Sequence, residues 1–185
     1  METSPSHPLF VHIPLALAVL LPLINLGLIT AWFKGGLSRR AWIIAAALHA
    51  TMTVGAFVAM QTGETDEHTA ERVVSKHEIH EHEEHAESFL WASVVALLLA
   101  LIAAIAEDEK LARRFAVATA ALSLLCSFLA YETGEHGGKL VYKYGAGRAY
   151  SPAKYGGVAD RPRSEDPKLD IDDHVDEDSE SDEHH

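Results

Sequence analysis

Four stretches of the chain contain no Asp, Glu, Lys or Arg: 9–33, 41–62, 88–106 and 115–131. Everything between and after them is strongly polar. A helix that crosses the hydrocarbon of a bilayer needs about 20 mainly apolar residues, with a lower limit of about 17. The first two runs exceed that length and the last two meet it. The first run is too long for the apolar region of a signal peptide and has no basic segment before it. The pattern therefore predicts an all-α integral membrane protein, a four-helix bundle occupying residues 1–150. It has a His/Glu-rich outer loop at 63–87 and an acidic tail at 151–185, read as disordered.

The runs also repeat. Residues 57–64 read FVAMQTGE and residues 128–135 read FLAYETGE, so Gly63 and Gly134 stand 71 positions apart. Arg39-Arg40 and Arg113-Arg114 are 74 apart, and His12 and His85, each opening an apolar run, are 73 apart. Each half thus reads His, helix, Arg-Arg turn, helix, Thr-Gly-Glu. Two such hairpins share one topology and are related by an axis along the membrane normal. That arrangement brings His12, Glu64, His85 and Glu135 to the same side of the bundle. Gly63 and Gly134 read as helix-terminating glycines, and Pro14 and Pro22 as bends in the first helix. The many Ala and Ser residues of the second and fourth runs mean either close helix packing or room for a flat cofactor.

Charge adds an orientation. The formal net charge of −12 argues against nucleic acid as a partner. Two short connections are basic, one carrying Lys34, Arg39 and Arg40, the other Lys110, Arg113 and Arg114. Basic loops stay in the cytoplasm. The protein is accordingly expected in the bacterial inner membrane, with the His/Glu-rich face and the tail in the periplasm. Lys139, Lys143, Arg148 and Lys154 run against this bias. The one cysteine, Cys126, excludes an internal disulfide, and no Cys-x-x-Cys-His is present for covalent haem attachment.

Chemistry rests on the histidines and carboxylates. His12 lies about a turn inside an apolar run, and His49 about 12 Å in from Ala41. Ionisable residues within a span mark function more often than not; the plain alternatives are an interfacial imidazole and an interhelical hydrogen bond. Two chemistries suit the convergent set. In one, His12 and His85, diagonal across the bundle, hold a b-type haem, with His49 as a further cofactor residue and Glu64 and Glu135 as outer partners. In the other, His12, Glu64, His85, Glu135, His136 and His68 supply ligands to zinc, iron or manganese. The loop histidines His77, His80 and His82 alternate with glutamates, which reads as a solvated helical extension or a metal-binding tract. No nucleophilic triad, phosphate-binding glycine loop or His-Glu-x-x-His motif is present.

HPLFVHIPLAL at 7–17 and GGKLVYKYGAG at 137–147 resemble the opening and closing motifs of the bacterial membrane family called domain of unknown function 2231. His7, Pro8, His12, Pro14, Gly137, Gly138, Leu140, Val141, Tyr142 and Gly145 carry the resemblance, which extends over about residues 5–150. Ile13 stands where the family has Phe. The resemblance implies a four-helix membrane domain, and relatives fused to cytochrome c-like modules imply electron transfer. A redox membrane protein serving another membrane enzyme or a periplasmic cytochrome is the leading expectation. A metal-binding membrane protein and a non-catalytic scaffold subunit are the alternatives, with a homodimer compatible with each.

Overall fold

The structure, a computed structural model, describes residues 7–150. The acidic tail 151–185, expected to be disordered, lies outside them. A single turn, α1 (His7–Phe10), precedes four long helices: α2 (His12–Phe33), α3 (Trp42–Ala70), α4 (Lys76–Ile105) and α5 (Glu109–Tyr142). A 3₁₀ turn at Arg39–Ala41 leads into α3, and a second, Ala146–Tyr150, follows α5. No strand occurs among the described residues. Each of α2 to α5 is long and apolar enough to cross a membrane. The fold is thus the all-α, four-helix membrane bundle that the apolar runs predict. Chain neighbours pack together and α5 closes against α2, which leaves α2 diagonal to α4.

What points inward is decided by size rather than polarity. The buried residues of α5 are Ala112, Ala116, Thr119, Ser123, Cys126 and Ala130, and those of α4 include Phe89, Ser93, Ala96, Ala100 and Ala103. Steps of three and four residues are the seam of helices packed side by side. Many large apolar residues face outward, Leu23, Leu26, Ile43, Ile44, Leu98, Ile105, Leu124 and Phe128 among them, while Leu21, Trp42, Met52 and Phe89 are buried. Lipid is as apolar as leucine, so association relies on close contact, and small seam residues permit it. Of the two uses considered for the small residues, these seams serve packing. Gly55 shows how tight the fit is, since a Cβ there would lie 3.1 Å from Pro14 Cδ on α2. α2 continues through Pro22 as one helix.

The two ends of the bundle differ. At the arginine end, Gly35 turns with φ 77°, and Arg39 donates to the Ala106 carbonyl of the other hairpin. The Arg113 guanidinium lies 4.9 Å from the Phe33 ring centre, and Asp108 caps α5 through the Lys110 and Leu111 N–H groups. At the other end the helices overrun their apolar windows, contrary to expectation. Gly63 and Gly134 terminate nothing, because α3 runs to Ala70 and α5 to Tyr142. Neither glycine has a positive φ, so neither makes the left-handed turn that ends a helix. Most of the supposed loop 63–87 is also helical. α4 starts at an N-cap, Ser75, whose Oγ accepts from the Glu78 N–H at 3.4 Å. At 1.5 Å per residue α5 is roughly 50 Å long against a hydrocarbon layer of about 30 Å. The surplus of α3, α4 and α5 projects at this histidine-rich end.

Replacing Gly55 by Leu should drive α2 and α3 apart and cost about 1–3 kcal/mol, the usual cost of overpacking. Gly27, exposed with nothing within 4 Å of its Cβ position, should accept Leu without loss. Unfolding of both variants in mixed micelles checks this, and equal stability of the two would contradict the packing described.

Candidate functional site

Because α5 does not stop at Gly134, Glu132 and His136 lie one turn apart on a continuous helix, where residues i and i+4 are neighbours. α4 packs along α5 and brings His85 to them. The ligand atoms of His85, Glu132 and His136 all lie within 4.8 Å of one another, and all three residues are partly buried. His136 Nδ1 is 2.9 Å from the Glu132 main-chain oxygen. A carbonyl can only accept, so Nδ1 carries the proton and Nε2 keeps a lone pair. The His85 and His136 rings stack with centroids 4.2 Å apart at 26°. Exposed Trp91 and Tyr131 mark the level at which aromatic side chains favour the membrane–water boundary. The three candidate ligands lie outside the uncharged runs 88–106 and 115–131.

The other expected residues are distributed differently. His12 is exposed at the start of α2 and is not in this group. His7 turns inward instead. Its Nδ1 donates to the Ala59 carbonyl at 2.7 Å, its main-chain N–H donates to Asp66 Oδ2 at 3.0 Å, and its ring meets His82 edge-on at 6.0 Å. Glu64 is exposed and takes a long hydrogen bond from Gln61, 3.4 Å. Glu135 is exposed and paired with Lys139 at 2.8 Å. His68 is exposed near the end of α3. His77 and His80 lie on a solvated face beside Glu81, Glu83 and Glu84. Of the seven residues expected to bind a cofactor or metal, the structure brings together His85 and His136.

His49 belongs to a separate polar cluster in the bundle interior. Asn25 Nδ2 donates to Ser123 Oγ at 3.2 Å and lies 3.2 Å from His49 Nε2. Ser123 Oγ in turn donates to the Ala120 carbonyl at 2.7 Å. All three residues are fully buried. Asn25 Oδ1 and His49 Nδ1 have no hydrogen-bond partner among the described residues. The cluster joins α2, α3 and α5 by polar contacts where water has no access.

Sequence reasoning passed over His7, Glu132, Asn25 and Ser123 as site residues. Glu132 was within reach: Glu-x-x-x-His is a one-turn pair, visible once α5 is allowed past Gly134. Asn25, the chain's only asparagine, stands in mid-span. A family model described as a predicted membrane protein (DUF2231) matches residues 3–149. The chain belongs to the DUF2231 family. Neither a curated protein nor a solved structure is significantly similar to it. The two DUF2231 motifs now have positions in the fold. The first delivers His7 against Gly63, where a Cβ would lie 3.2 Å from the ring Nδ1. The second places Gly137 against His82, with a Cβ-to-Cε1 separation of 3.1 Å. It ends in a turn at Gly145, φ 74°, after which the Tyr150 hydroxyl donates to the Asp66 carbonyl at 3.2 Å. Burial, and then Asp66 beside it, hold that hydroxyl above its ordinary pKa, so it remains a donor.

The interior cluster predicts coupling. Asn25→Leu leaves His49 and Ser123 without their shared donor and should cost about 1–2 kcal/mol. Asn25→Leu combined with His49→Leu should cost less than the two single changes summed. A double-mutant cycle in micelles measures this, and strict additivity would show that the two side chains do not interact.

Proposed function

We propose that this multi-pass membrane protein binds a divalent transition-metal ion at its histidine-rich end, through His85, Glu132 and His136. The observation that carries the reading is the convergence of these three ligand atoms within 4.8 Å across α4 and α5. Two imidazoles and one carboxylate suit zinc, and equally the facial ligand set of ferrous iron. The main-chain acceptor on His136 Nδ1 is the kind of outer partner that fixes a ligand's tautomer. A three-residue set leaves coordination positions open, which fits an ion presented to a substrate or passed to a carrier better than one locked away for structure. By the positive-inside rule the arginine end is cytoplasmic. The site would then face the periplasm of a bacterial inner membrane.

A b-type haem between His12 and His85 has less support. His12 is exposed, and one face of the His85 ring is covered by His136. The electron-transfer role inferred from cytochrome-fused relatives depends on that haem and weakens with it.

Purified full-length protein in nanodiscs should bind one zinc or ferrous ion at this site. Glu132→Ala or His136→Ala should weaken binding at least as much as loss of an outer partner does, about 10–100-fold. Calorimetric titration checks this. Unchanged affinity in both variants would eliminate the site, and a Soret band in protein made with ample haem would restore the haem reading.

A further inference from the structure

We infer that His7 and His82 form a second ion seat beside the first, so that the histidine-rich end is a two-ion centre; the inference extends the metal-binding reading proposed above. The two rings come from elements far apart in the sequence, one on α1 and one on α4, yet their centroids are 6.0 Å apart at 85°. Zinc–imidazole bonds are about 2.0–2.1 Å, and a ring nitrogen lies about 1.1 Å from the ring centre, so two imidazoles sharing an ion have centroids roughly 5–6.5 Å apart; the stacked His85 and His136 rings, 4.2 Å apart, must part slightly to share theirs. The separation of His7 and His82 falls inside that interval.

Each ring is also held in place and left with coordinating capacity. The His7 Nδ1–H is taken by the Ala59 carbonyl, which leaves Nε2 with its lone pair. His82 Nδ1 is buried with no hydrogen-bond partner among the described residues. Gly63 lies under the first ring and Gly137 under the second, at separations where a Cβ would crowd the imidazole. Two glycines, one on α3 and one on α5, thus make room for two histidines.

The seat adjoins the first site. His82 is one turn before His85 on α4, and residues three apart on a helix are neighbours. His82 is within electrostatic reach of His7, His85 and His136 together. The Asp66 carboxylate at the His7 N–H adds negative charge on the same side. With two protein ligands the seat is the more open of the two, suited to an ion that arrives, leaves or binds a further molecule.

The test counts Co(II) ions in the full-length protein in nanodiscs, after exchange against a weak chelator to strip loosely held metal. Wild type should retain two ions per chain. His82→Gln, His7→Gln and His136→Gln should each retain one, and the exposed pair His77→Ala/His80→Ala should retain both. Size-exclusion profiles and circular dichroism confirm folding, and the two independent variants of the pair guard against failure of either. A wild-type count with both His7→Gln and His82→Gln overturns the second seat; if His136→Gln still loses one ion, the first site stands alone. Loss of one ion on changing His7 or His82, with none lost on changing His136, upholds the seat and removes the first site.

Discussion

A backbone leaving the hydrocarbon must keep its N–H and C=O groups paired until water can take over, and in this bundle the helices meet that demand by not stopping. α3 and α5 pass through Gly63 and Gly134 as uninterrupted helix, and Thr62 and Thr133 bond back to the preceding turn. The geometry of the histidine-rich end follows from this. A turn at Gly134 would release Glu132 and His136 from a common face, and His85 would meet neither. The Thr-Gly-Glu repeat is therefore a point of passage between two environments rather than a stop.

The interior obeys a related constraint. Since lipid and seam are equally apolar, a register cannot be selected by burying hydrophobic surface; it is selected by fit and by polar contact. Alanine, serine and cysteine set the approach of the helices, while Asn25, His49 and Ser123 tie three of them at one level. His49 is fully buried and lies within hydrogen-bond distance of Asn25, the interhelical contact weighed as the plain alternative to a cofactor role. At the histidine-rich end the main-chain oxygens of Ala59 and Glu132 take the Nδ1 protons of His7 and His136 and leave each Nε2 its lone pair.

Much of the architecture was legible from composition alone, because uncharged runs of membrane length have few alternatives. The four helices, their pairing into two hairpins and the diagonal placing of the first and third spans follow from run length and repeat. The helix ends were not legible. Glycine followed by glutamate reads as a stop on local grounds, and only the packing of α3, α4 and α5 beyond the membrane makes continuation favourable. The site was half visible for the same reason. His85 and His136 were picked out, but the repeat directed attention to His12, whose offset from His85 is 73 positions. His7 and His82, offset by 75, are the pair whose rings meet, because α1 folds back on α3 and the α2 helix carries His12 outward. Glu64 and Glu135 match in sequence yet differ in surroundings, one near Gln61 and one tied to Lys139.

The central claim is that an ion sits where His85, Glu132 and His136 converge. Anomalous diffraction at the zinc edge from crystals of the zinc-loaded protein tests it most directly. The account predicts an anomalous peak bonded to one nitrogen of each of the two imidazoles and to a Glu132 carboxylate oxygen, at about 2.0–2.2 Å. Zinc found only on the exposed histidines of α4, with His85 and His136 still stacked and unligated, would contradict it.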